Sequence, residues 1–184
     1  MTDPTDGSGP DGPVPPIARW HADLQKRKGD RAALRRAQTI DEVYVVPSFH
    51  TLLRRLGWTL SSRTPGDDEI ARLAMVLADV EHDTGQPSPR WGDALGRAFG
   101  TPRKDVPKAH VSHARFRQLA ATDDLDEFVR LLRGALHLIK HEAPLLDLAE
   151  VVRAWHHPAR RQQVRRTLFL AYFETAPETE TTDA

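Results

Sequence analysis

Between Ile17 and Tyr172 the apolar residues recur at intervals of three and four, the spacing of one helical face, and no stretch alternates long enough for a sustained strand. Pro15 and Pro16 suit a first helical turn that carries Ile17, Trp20 and Leu24 on one face. Asp30 reads as the cap of a short helix through Ala37. Pro47 starts a helix with the stripe Phe49, Leu52, Leu53 and Leu56, stopped at Gly57. Asp67, Asp68 and Glu69 place acids at the positive end of the next helix, whose stripe is Ile70, Leu73, Ala74, Leu77 and Val80 and whose end is Gly85. A short helix with Leu95, Ala98 and Phe99 stops at Gly100. The connection "TPRKDVPKAH" is broken by proline and basic, a composition suited to a loop near a ligand. Ser112 then caps "HARFRQLAA", Asp123 opens the longest helix, Asp147 caps "LAEVVRAWH", and Pro158 starts a last helix with Val164, Leu168, Ala171 and Tyr172. "VYVV" has strand propensity but is too short and isolated to need a sheet.

About nine helices joined by short loops predict an all-α fold of two small packed helical bundles. The expected division is an N-terminal bundle over 17–100, a connecting loop over 101–111 and a C-terminal bundle over 112–174. Residues 1–16 and 175–184 are acidic, lack apolar stripes, and are expected to be disordered tails.

Charge changes this picture more than composition does. Lys and Arg number 26 and Asp and Glu also 26, a formal net charge of zero. Six of the acids lie in the two tails, so the body between Ile17 and Glu174 holds six more bases than acids. Residues 17–40 carry seven bases against two acids, and residues 155–173 carry Arg160, Arg161, Arg165 and Arg166 with no acid. Polyanions are therefore plausible partners. The chain has no cysteine, which excludes disulfides and Cys-ligated metals and agrees with a cytoplasmic protein. Apolar runs are only a handful of residues long, and the acidic N-terminus lacks the pattern of a signal peptide, so no membrane association is expected.

Catalytic motifs are scarce. GxxxxGK[ST], GxSxG and HExxH are all absent. His137 and His141 stand at i, i+4, the spacing of metal ligands, but no third ligand of matching spacing accompanies them. "TDDLDE" is better explained by helix capping and dipole complementation than by magnesium binding, and His156–His157 has no visible nucleophile. No cofactor, metal, small-molecule substrate or enzymatic activity is expected.

The guanidiniums are the better candidates. Arg31 and Arg35 share one face of the Asp30 helix, and Arg161 and Arg165 share one face of the last helix. A guanidinium is planar, permanently charged and a multiple donor, which suits it to phosphate. The competing interpretation is a solvated face with scattered ion pairs.

In order and spacing, "GDRAALRRA", "VPSFHTLLRRLGW", "ALGRAFG", "VSHARFRQLAATDDLDEFVRLLRGALHLI" and "APLLDLAEVVRAWHHPARRQQVRRTLFLAYF" resemble the CasB family, the small subunit of the type I-E CRISPR surveillance complex called Cascade. The resemblance covers most of residues 18–173. It implies a non-catalytic helical protein, present in two copies within an RNA-guided complex, that helps hold the CRISPR RNA, the target DNA and the displaced strand beside other Cascade subunits. In such complexes base pairing reads sequence, while protein reads backbone and shape. By motif position, Arg35, Arg36, Arg97, Arg115, Arg133, Arg160 and Arg161 are the residues expected at or near phosphate; Arg31 and Arg165 join them by sharing faces with Arg35 and Arg161. Trp20, Phe49, Phe116, Phe128 and Trp155 are expected to hold the helices together. The alternative is a helical adaptor whose Arg clusters pair with acidic protein surfaces.

Overall fold

Leu73–Ala78, "LAMVLA", is apolar on every side, and a helix built from it must be surrounded. The computed structural model surrounds it. The structure describes residues 15–57, 66–86 and 88–178; of the expected tails, 1–14 and 179–184 lie outside these residues, while Pro16 and Thr175 are helical. Ten helices occur among the described residues: α1 (Pro16–Lys26), α2 (Lys28–Arg36), α3 (Ile40–Tyr44), α4 (Pro47–Arg55), α5 (Asp67–Asp79), α6 (Asp93–Gly100), α7 (His113–Ala121), α8 (Leu125–Leu138), α9 (Leu145–Trp155) and α10 (Pro158–Thr175). Helix α5 is the central one, packed by α1, α2, α3, α4, α8 and α9, with every residue from Leu73 to Asp79 buried. Trp20 is 1% exposed and its indole Nε1–H donates to the Ser48 carbonyl at 2.7 Å, tying α1 to α4.

The fold is all-α as expected, with four short strands. β1 (His82–Asp83) pairs in parallel with β4 (Glu142–Ala143), and β2 (Pro102–Arg103) pairs antiparallel with β3 (Val106–Ala109). Part of the expected connecting loop is thus a hairpin. "VYVV", in contrast, forms no strand: Val43 and Tyr44 belong to α3, whose first turn Thr39 caps by accepting from the Glu42 amide.

Helices α6 and α10 pack more closely than their apolar stripes alone require. Gly92, Gly96 and Gly100, four residues apart, all face α10. A Cβ at Gly96 would stand 2.8 Å from the Leu168 carbonyl oxygen and 2.9 Å from Ala171 Cβ, so only glycine admits this backbone approach. Gly100 ends α6, as its position in the sequence suggested, but it also faces the end of α10. At the outer end of this seam Phe116 stacks on Tyr172 at a 4.0 Å centroid distance, and the Tyr172 hydroxyl donates to the Val111 carbonyl at 2.8 Å. Phe128 stacks on Trp155 at 3.9 Å, joining α8 to α9.

Three expected caps belong elsewhere. Helix α2 begins at Lys28, which puts Asp30 inside its first turn, where the carboxylate accepts from the amide and hydroxyl of Ser48 and so joins α2 to α4. Asp124, not Asp123, caps α8 by accepting from the Glu127 amide at 2.7 Å. Asp147 lies within α9 and caps α6 instead, accepting from the amides of Gly92 at 2.7 Å and Leu95 at 2.9 Å. Ser112 does stand at the N-cap of α7 but makes no side-chain bond there, and the longest helix is α10, not α8. A carboxylate seeks unsatisfied amides, and the nearest ones in space are often not those next in sequence.

Candidate nucleic-acid interface

The basic residues divide sharply by what they touch. On α2, Arg31 Nε donates to the Ala78 carbonyl at 3.1 Å and its Nη2 meets Glu81 at 3.2 Å. Arg35 bonds Asp79 and Glu81, each at 3.2 Å. Arg133 on α8 reaches the same centre: its Nε donates to Asp79 at 2.6 Å, while its two Nη groups donate to the carbonyls of Ala37, at 3.0 Å, and Arg35. Asp79 is buried, and two guanidiniums compensate it where α2, α5 and α8 converge.

Arg97 pairs with Asp93 at 3.1 Å and Glu174 at 2.7 Å, fastening α6 to the end of α10. Arg161 donates to the Asp123 carbonyl and lies 3.4 Å from its carboxylate. Arg165 meets the same carboxylate at 2.7 Å, donates to the Thr122 carbonyl, and covers the Trp155 ring at 5.4 Å. The hydrogen bond from Arg165 holds the Asp123 carboxyl below its ordinary range, and the charges of Arg161 and Arg165 add to this.

Arg36, Arg115 and Arg160 are different. All three are exposed, and among the described residues none has an acidic partner; Arg36 bonds only a carbonyl of its own helix, that of Ala32. Thus six of the nine expected guanidiniums are engaged within the chain and three project from it. The structure also brings Arg115 beside groups that the sequence did not connect to it. A cleft of about 670 Å³ between α7 and α8 is lined by Arg115, Gln118, Arg130 and His137.

An unpaired positive surface runs from the β2–β3 hairpin into α7. Arg103, Lys104, Lys108, Arg115 and Arg117 are exposed there without an ion pair among the described residues, and Asp105 is the lone acid between Thr101 and Arg117. Helices α7 and α10 both lack an acid in the first turn, so the positive end of each dipole is not offset locally. The sequence signal for the hairpin surface was present in the acid-poor "TPRKDVPKAH", but its individual cations could not be ranked without their exposure. Trp91, 50% exposed in the turn before α6, carried no periodic signal at all.

Among the described residues no group of three His, Asp or Glu side chains is arranged to hold a metal ion, and His137 Nδ1 simply lies 3.3 Å from His141 Nε2. No helix among the described residues is long and apolar enough to cross a membrane.

Comparison with known proteins gives this surface its context. The chain is 25% identical over 154 residues to the CRISPR system Cascade subunit CasB of Escherichia coli strain K12, covering 80% of this chain and 88% of that protein. Its fold matches a chain in the crystal structure of Escherichia coli Cascade bound to a PAM-containing double-stranded DNA target, with a TM-score of 0.60 and 20% identity over 86% of this chain and 97% of the other. Residues 30–173 match the family of the CRISPR-associated protein Cse2. A match over that span, most of the chain, places it in that family.

Proposed function

We propose that this protein is a non-catalytic small subunit of a type I-E Cascade complex, acting in the cytoplasm in antiviral defence. It stabilises the CRISPR RNA, the target DNA and the displaced strand by backbone contacts. Its other partners are the remaining Cascade subunits and a second copy of itself. The observation that carries this reading is the separation of its cations: one set neutralised inside the chain, another exposed without an acidic partner among the described residues on the hairpin, α7 and the start of α10. Family membership and the Cascade subunit CasB as a relative supply the setting. Arg36, Arg115 and Arg160 contact phosphate directly. Arg31, Arg35, Arg97, Arg133, Arg161 and Arg165 shape and hold the surfaces that present them.

The test uses the assembled complex, where the subunit is aligned by its neighbours. Arg36→Glu, Arg115→Glu and Arg160→Glu together are expected to weaken target binding while leaving the subunit incorporated. The corresponding single Ala variants should each lower the log–log salt slope by about 1, equally for all sequences. Crosslinking then distinguishes the adaptor alternative: adducts only to protein, with the salt slope unchanged in all three variants, would overturn the reading.

A further inference from the structure

Trp91 is 50% exposed, while Trp20 and Trp155 are each 1% exposed. It stands on a fixed turn. The Arg90 carbonyl accepts from the Asp93 amide at 3.0 Å, and Gly92, at φ +94°, donates its own amide to the buried Asp147 carboxylate at 2.7 Å. A Cβ at Gly92 would come within 3.1 Å of Leu168 and 3.3 Å of Val164, so the turn is seated directly on α10.

There Trp91 lines a cleft of about 560 Å³ with Arg90, Arg160 and Gln163. That size lies within the range of small-ligand sites, about 300–1,000 Å³. Arg90 and Arg160 are exposed and have no acidic partner among the described residues. Glu150, which also borders the cleft, is occupied by Arg153 at 3.0 Å. No ring or guanidinium among the described residues stacks on the indole.

A half-exposed indole that shares one cleft with two unneutralised guanidiniums has the chemistry of a single-nucleotide site. The ring takes a base and the cations take the phosphates on either side. Because the turn is already fixed, little ordering is lost on binding. We propose that the Trp91 cleft is a base-stacking subsite for single-stranded nucleic acid, with Arg90 and Arg160 on the flanking phosphates and the Gln163 amide at the base edge. The proposal rests on the nucleic-acid reading above and adds a contact to the base, where that reading has only contacts to the backbone. A protein surface is the competing occupant. Two unpaired cations on the same cleft, with the polar side chains of Gln163 and Thr167 beside them, favour the nucleotide.

The experiment uses the full chain, alone with a short oligothymidylate and assembled with its companion subunits on a target whose displaced strand carries bromouracil. Trp91→Ala is expected to weaken oligothymidylate binding about tenfold without changing its salt slope, and Trp91→Phe to retain most of the affinity. Arg160→Gln should reduce the slope by about 1. In the assembled complex the expected photoadduct forms at Trp91. Unchanged affinity in Trp91→Ala, with wild-type salt dependence and adducts elsewhere on the chain, overturns the subsite and leaves the broader reading standing. Loss of assembly in Trp91→Ala with strand binding intact assigns the cleft to protein and also overturns it. Absence of strand binding and of adducts anywhere on the wild-type chain defeats both readings together.

Discussion

Two regions of this protein are equally basic in sequence and opposite in use. Around α2, the guanidiniums of Arg31, Arg35 and, from α8, Arg133 converge on Asp79 and Glu81 at the end of α5. From the hairpin into α7, Arg103, Lys104, Lys108, Arg115 and Arg117 meet no carboxylate among the described residues. The first arrangement joins three helices; the second leaves a positive surface. Local density of Arg and Lys therefore does not measure a binding surface, because the charge that reaches solvent is what remains after tertiary pairing.

The contrast is most exposed to refutation at Arg133. Arg133→Ala leaves the buried Asp79 with the weaker of its two partners and frees the carbonyls of Arg35 and Ala37, so a loss of about 3 kcal/mol in urea unfolding is expected. Unaltered stability with weakened nucleic-acid binding would show that the paired region is itself a site. At the other region the signs reverse. Lys108→Ala and Arg117→Ala should alter stability by no more than about 0.5 kcal/mol. Each should nevertheless lower the salt slope of nucleic-acid binding to the assembled complex by about 1. A measurable stability loss there would reveal pairing that the exposed side chains do not suggest.

The smallest effect is in pH. Burial lowers the affinity of His21 for a proton, partly offset by its bond to the Val80 carbonyl at 3.0 Å, and burial does the same to His156. With the folded-state pKa below the ordinary value of 6.5, the unfolded chain binds more protons just below that pH. Stability is thus complete above pH 6.5 and declines as the pH falls through the lowered folded values. Equilibrium unfolding followed across this range should show that slope, and His21→Gln should remove part of it, His156 keeping the rest. A flat profile would mean that neither ring is held neutral by its surroundings.

Much of the fold was legible because helical period reports burial directly. Trp20, Phe49, Phe116, Phe128 and Trp155 were expected inside and are buried there. The caps show where legibility stopped. Asp30, Asp124 and Asp147 all bond amides, but only Asp124 bonds those of the helix it begins. The expected phosphate contacts met the same boundary. Periodicity placed Arg31 and Arg35 on one face correctly, yet it could not say that Asp79 and Glu81 would stand opposite. Trp91 gave no signal because a lone aromatic residue in a Pro- and Gly-rich turn has no period to read.

The sequence alone determined most of the helices, the faces they bury and the glycine at which α6 ends, since these depend on residues a few positions apart. Only the tertiary structure decided which guanidiniums are neutralised and which remain for a partner. Arg133 and Asp79 are 54 positions apart, and Arg165 and Asp123 are 42 apart. Charges act through space, and a linear pattern carries no record of which acid the folded chain will bring within reach.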